Sequence, residues 1–107
     1  MSEIIYNKLV RDRIPDIIKA TGKNFEAESV DKEELKNLLN EKLQEEVNEY
    51  FESNDIEELA DILEVIHGIL NARGATFEAL ESIRLKKKEE RGGFDKGIKL
   101  IKVYELI

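Results

Sequence analysis

Cysteine and tryptophan are absent from this chain, and methionine, proline and histidine each occur once. Without cysteine there is no disulfide framework, no zinc–thiolate centre and no thiol nucleophile, a composition suited to a reducing compartment such as the cytoplasm. A lone histidine, His67, lacks the partners that zinc or nucleophilic chemistry needs, so a packing or interface role is expected. Long apolar runs are missing too. No stretch approaches the roughly 18 apolar residues of a membrane span. The start, Met1 to Tyr6, has no basic segment followed by an apolar one, so neither export nor membrane insertion is expected.

Positive charge is also short. Lys and Arg number 17 against 24 Asp and Glu, a net charge of -7, which leaves no footprint for duplex nucleic acid. Small phosphorylated molecules stay open, because a bound cation supplies locally the positive charge that the chain lacks. At 41% hydrophobic and 38% charged the composition is that of a globular protein with an ionised surface. A length of 107 residues is read as one domain, 1–107, with a modest core.

The apolar spacing predicts a mainly α protein. Pro15 and Gly22 bracket a short first helix over Arg13 to Ala20, with Asp12 as its cap. Residues 23–30 read as an extended connection. A long helix follows Asp31 and runs to about Glu52, where Ser53-Asn54-Asp55 turns the chain into a third helix, Ile56 to about Ala72. Gly74 ends that helix, Thr76 caps a fourth from Phe77 to about Arg91, and Gly92-Gly93 stops it. Beyond Phe94 the alternation around Ile98 to Val103 predicts a short strand or extended C-terminal arm.

Within helix two, Leu35, Leu39, Leu43, Val47 and Tyr50 define one face at about 100° per residue, and Glu46 falls inside that arc with Glu49 about 60° further round. In helix three the face is Leu59, Ile62, Leu63, Val65, Ile66, Ile69 and Leu70, with Glu58 and Asp61 at its margin. A short turn makes the two helices antiparallel neighbours, which brings Glu46-x-x-Glu49 beside Glu58-x-x-Asp61. Carboxylates placed on apolar faces need a partner, and Mg²⁺ or Mn²⁺ with oxygen ligands would supply one. A solvated arrangement also fits: Asp55 with Glu58, and Asp31 with Glu34, match capping boxes, and Lys42 can pair with Glu46. No Glu-x-x-His accompanies either acidic pair, which disfavours di-iron chemistry. Two helices cannot enclose faces this wide, so a homodimer, or a dimer of dimers, is expected to complete a helical bundle.

Three stretches carry a family resemblance: Tyr6-Asn7-Lys8-Leu9-Val10-Arg11-Asp12-Arg13-Ile14-Pro15, the central Lys42-Leu43-Gln44-Glu45-Glu46-Val47-Asn48-Glu49 with Glu58-Leu59-Ala60-Asp61, and Glu90-Arg91-Gly92-Gly93-Phe94. On these the chain resembles the all-alpha nucleotide pyrophosphohydrolases, which include MazG, dimeric dUTPase and phosphoribosyl-ATP pyrophosphohydrolase. It is most similar to the small MazG-like house-cleaning proteins. The resemblance implies that Glu46, Glu49, Glu58 and Asp61 hold Mg²⁺, and that a nucleoside triphosphate, non-canonical in this group, is cut to the monophosphate and pyrophosphate. Glu46 or Glu49 is the candidate general base, with Glu45 as an outside candidate. Phosphate-binding cations are sought in Lys8, Arg11 and Arg13 near the start and in Lys87 and Arg91 near the end, the lysines of 86–88 reading equally as a solvated face. Tyr6 and Phe94 could stack on a base or pack in a core. Phosphoribosyl-ATP hydrolysis, or a non-catalytic helical dimer that binds a nucleotide or a protein, are the alternatives.

Overall fold

The computed structural model describes residues 2–106, and every regular element among them is helical. Four helices follow one another: α1 (Ile14–Ala20), α2 (Lys32–Ser53), α3 (Ile56–Arg73) and α4 (Phe77–Arg91). Among the described residues no helix is long and apolar enough to cross a membrane. The chain divides into two compact units, one running to Ala75 and the other starting at Thr76.

In the first unit, α1 starts without the expected cap. Arg13, not Asp12, occupies the N-cap position and no side chain caps it, because Pro15 in the first turn already removes one amide that would need an acceptor. The start of α2 is better furnished. Asp31 accepts the Glu34 amide at 2.8 Å, and Glu33 and Glu34 set negative charge against the positive end of the helix dipole.

Helix α2 ends where Asn54 takes up the left-handed region (φ 54°) and gives its amide to the Tyr50 carbonyl at 2.7 Å. Asparagine tolerates that conformation better than a β-branched or bulky residue would. Asp55 follows directly as the N-cap of α3 and accepts the Glu57 amide at 3.2 Å. The Asp55 amide goes to Ser53 Oγ at 3.1 Å, so the second half of the expected Asp55–Glu58 capping box does not form and the Glu58 carboxylate is left for another use. Gly74, at φ 70°, stops α3 with the Ala75 amide bonded back to Leu70 O at 2.9 Å.

Only two residues separate α2 from α3, so the helices pack as an antiparallel pair, later turns of one against early turns of the other. Their seam centres on Leu39 and Val65, 6% and 8% exposed. Leu35, Leu43, Val47 and Tyr50 from α2 and Ile62, Ile66, Ile69 and Leu70 from α3 extend it, half-buried. Gly68 lets the helices approach at this point: a Cβ there would stand 3.0 Å from Leu39 Cδ2. The face predicted for α3 is wider than the seam. Leu59 and Leu63 are exposed with Ile56, because one facing helix can cover only part of the apolar arc.

In the second unit Thr76 caps α4 by accepting the Ala79 amide at 3.1 Å, and Glu81 pairs with Arg84 one turn on. Gly92, at φ 83°, ends the helix. The strand expected beyond Phe94 does not form among the described residues. A strand needs a ladder partner, and Ile98, Leu100, Ile101 and Val103 stand exposed on both sides of the chain without one.

Candidate metal centre

Helical periodicity and a tight turn build this site. Glu46 and Glu49 sit one turn apart on α2, Glu58 and Asp61 one turn apart on α3, and the antiparallel pairing sets the two turns side by side. One carboxylate oxygen from each of Glu46, Glu58 and Asp61 lies within 4.8 Å of the others. Glu49 adds its negative charge to the raised proton affinities of both Glu46 and Glu58. Of the four acidic residues singled out by spacing, Glu46, Glu58 and Asp61 meet closely, and Glu49 stands outside that group of three.

Burial makes the cluster unusual. Glu46 is 6% exposed, as buried as Leu39 in the helix seam, and Glu58 and Asp61 are half-buried. Lys42 Nζ stands 3.4 Å from Glu46 Oε1, the four-residue pairing open to it by sequence. The other oxygens stay unanswered: Glu46 Oε2 and Glu58 Oε2 are both buried without a hydrogen-bond partner. Two unit charges about 4 Å apart repel by about 4 kcal/mol at an effective dielectric constant near 20. With no protein donor at these buried oxygens, the arrangement is therefore strained as a set of free anions.

That strain appears in the proton affinities. Burial, then the adjacent Glu49 through contact and charge, raises the pKa of Glu46 above the ordinary glutamate value, and Lys42 opposes the shift only in part. Glu58 is raised in the same way, by desolvation first and then by the charges of Glu49, Asp61 and Glu46. Glu45 moves in the opposite direction. The hydrogen bond from Lys8 holds its carboxyl below the usual value, which makes it a weaker base than Glu46 or Glu58.

The cations of the N-terminal segment reach this site, although they do not stand free for a ligand. Lys8 Nζ donates to Glu45 Oε1 at 2.6 Å, and Arg11 Nη2 donates to Asp61 Oδ1 at 2.7 Å. Lys42 also reaches Glu45 Oε2 at 3.1 Å. Nothing in sequence spacing foretells these partners, since residues 2–10 have no regular period that would aim a side chain at one acid rather than another. Arg13, at the start of α1, is exposed. Lys87 and Arg91 are exposed on α4, within the second unit.

Charge counting gives the chemical sense of the site. Glu45, Glu46, Glu49, Glu58 and Asp61 bring five carboxylates against the cations of Lys8, Lys42 and Arg11, an excess of two negative charges when all are ionised. One divalent cation equals that excess. Orphaned carboxylate oxygens are hard donors of the kind that Mg²⁺ and Mn²⁺ accept, so the residues present fit such an ion. The α2–α3 pair carries a concavity of about 370 Å³ away from the cluster, lined by Lys36, Leu39, Asn40, Ile69, Ala72 and Arg73, none of them a carboxylate. No family model, curated protein or solved structure matches this chain, and the chemistry of the site is that of its own side chains.

Proposed function

We propose that this chain is a divalent-cation-dependent hydrolase that cuts a nucleoside triphosphate, of the non-canonical kind, to the monophosphate and pyrophosphate. One observation carries the reading: Glu46, buried like a core residue and with one oxygen unpartnered, stands in a group that also holds Glu58 and Asp61. A buried carboxylate that Lys42 compensates only in part costs stability, and a cation site at this position gives that cost a use. The MazG-like motifs in the sequence agree with it.

Glu46, Glu58 and Asp61, with Glu49 beside them, would hold Mg²⁺, and Mn²⁺ would suit the same oxygens. The bound ion would supply positive charge against phosphate oxygens. The chain's own groups do the rest. Glu49, one turn from Glu46 on α2, or Glu46 itself, is the candidate to take the proton of an attacking water. Lys8 and Arg11, the cations nearest the cluster, are the groups to bind a substrate phosphate. Arg13, Lys87 and Arg91 are the further candidates for that task.

A second copy of the chain belongs to this reading. Ile56, Leu59 and Leu63 line an exposed stripe along α3, and packing against the same helices of a partner would bury it in a four-helix bundle. The same stripe favours the alternative of a non-catalytic helical dimer. Pyrophosphate release from a panel of common and damaged nucleotides, with and without Mg²⁺, separates the two. Turnover that requires metal and falls at least about 100-fold in Glu46→Gln and in Asp61→Asn supports the enzyme. No hydrolysis of any nucleotide, with dimerisation intact, would leave the binding protein. Including phosphoribosyl-ATP in the panel tests that substrate directly.

A further inference from the structure

The Arg11–Asp61 ion pair ties the N-terminal segment to one of the three carboxylates that would ligate a cation. Arg11 precedes α1 by three residues and Asp61 lies in the second turn of α3, fifty positions away along the chain. Guanidinium and cation draw on the same carboxylate: Asp61 Oδ1 accepts from Arg11 Nη2 at 2.7 Å, and Asp61 is one of the group of three. Lys8 is different. Its partner, Glu45, stands outside the group of three, so a cation held by that group does not compete for the oxygen that Lys8 binds. The Arg11 pair is also easy to open, since its side chains are 57% and 39% exposed, and pairs of that kind shift an equilibrium by no more than about fivefold.

We propose that Arg11 is an exchangeable counterion of the acidic cluster: it occupies Asp61 in the cation-free protein, leaves when the cluster takes up a divalent cation, and is thereby released toward a phosphate. The inference rests on the metal reading given above and adds an order of events. Cation uptake and the freeing of an anion-binding side chain become one step, so the segment presents its guanidinium only when the site is loaded. Lys8, still paired to Glu45, keeps residues 2–10 tethered to α2 throughout. Glu46 is the reason that the exchange favours the cation. Its buried Oε2 has no hydrogen-bond partner and Arg11, paired to Asp61, does not supply one, whereas a cation held by the three carboxylates would bring positive charge to the Glu46 carboxylate.

The test is nuclear magnetic resonance of the full chain, following the arginine guanidinium ¹⁵N signals and the carboxyl ¹³C signals during a Mg²⁺ titration, with Arg11 identified by its loss in Arg11→Gln. The expected result is restricted guanidinium rotation for Arg11 without Mg²⁺, which is lost in step with the change at the Glu46 carboxyl. Calorimetry should then show Mg²⁺ binding Arg11→Gln about two- to fivefold more tightly than the unaltered chain, with a smaller gain in Lys8→Gln. If the carboxyls respond while the Arg11 signals stay restricted, Arg11 does not exchange and the proposal falls, with the cation site intact. Equal gains in the two variants would also overturn it, because they would reflect net charge rather than a shared oxygen. No response of the carboxyls to Mg²⁺ would remove the metal reading itself, and the exchange with it.

Discussion

Between Lys32 and Arg73 the chain buries a carboxylate among hydrocarbon, whereas beyond Gly92 it leaves hydrocarbon in water. Glu46 is 6% exposed on a helix whose one fully buried apolar residue is Leu39, while Ile98, Leu100, Ile101 and Val103 each stand more than 70% exposed. Both arrangements run against the stability of an isolated chain, for opposite reasons. A buried charge without a partner is strained by lost hydration, and an exposed aliphatic side chain forgoes the gain of burial. The first is relieved by an ion, and the second by apolar contact. The contrast teaches that the helical pair is arranged around a polar ligand, while the C-terminal segment contributes little to holding the fold.

That difference can be broken first at the seam. Leu39→Ala should destabilise by about 2–5 kcal/mol in chemical denaturation, because the residue is almost wholly enclosed and faces Gly68. A loss under 1 kcal/mol would mean that the two helices do not pack as described. Next in size is a gain. Glu46→Gln should stabilise the metal-free protein by about 1–2 kcal/mol, since a neutral amide of the same shape removes the repulsion and can donate to Glu49. Destabilisation by this change without metal would contradict the account of a strained cluster.

Acid sharpens the same point. Glu46 and Glu58 have raised folded-state pKa values, so they contribute stability that is complete below the unfolded value and is lost as pH rises through the raised one. Glu45 is depressed, so its contribution is present above the ordinary value and is lost as pH falls through the lowered one. Metal-free melting temperature should therefore rise as pH drops from 7 to about 5, and fall only in stronger acid. A monotonic fall from pH 7 downward would show that the cluster is not strained. The smallest effect lies at the other end of the comparison: Ile101→Thr should change stability by less than about 0.5 kcal/mol in a dilute sample. A larger loss that depends on protein concentration would show that a second copy covers the segment.

The helices were legible because their signals are local. Asp31 and Thr76 cap through their own side chains, Gly74 takes the left-handed conformation that ends α3, and periods of three and four residues place Glu46 on the apolar face of α2. The meeting of Glu46, Glu58 and Asp61 was legible for the same reason, since two helices and a two-residue turn leave little freedom of register. Three features were not. Glu58 fits a capping box by spacing, yet Ser53 takes the amide that it would have received, a competition between neighbours that a motif does not rank. Leu59 and Leu63 carry the right period for the core but exceed what one facing helix can cover. Lys8 and Arg11 were readable as cations near a site, while their partners, thirty-seven and fifty positions away, depend on the path of a segment without periodic structure.

Thermal melting with and without Mg²⁺, in the unaltered chain and in Asp61→Asn, bears most directly on the acidic cluster as a cation site. Binding at a concentration 100 times the dissociation constant adds about 2.7 kcal/mol, which for a chain of this size is a rise of roughly 10 °C or more in Tm. The rise should be reduced or lost in Asp61→Asn, which keeps the shape of the side chain and removes its charge. A Tm that Mg²⁺ leaves unchanged, or that rises equally in both proteins, would contradict the site.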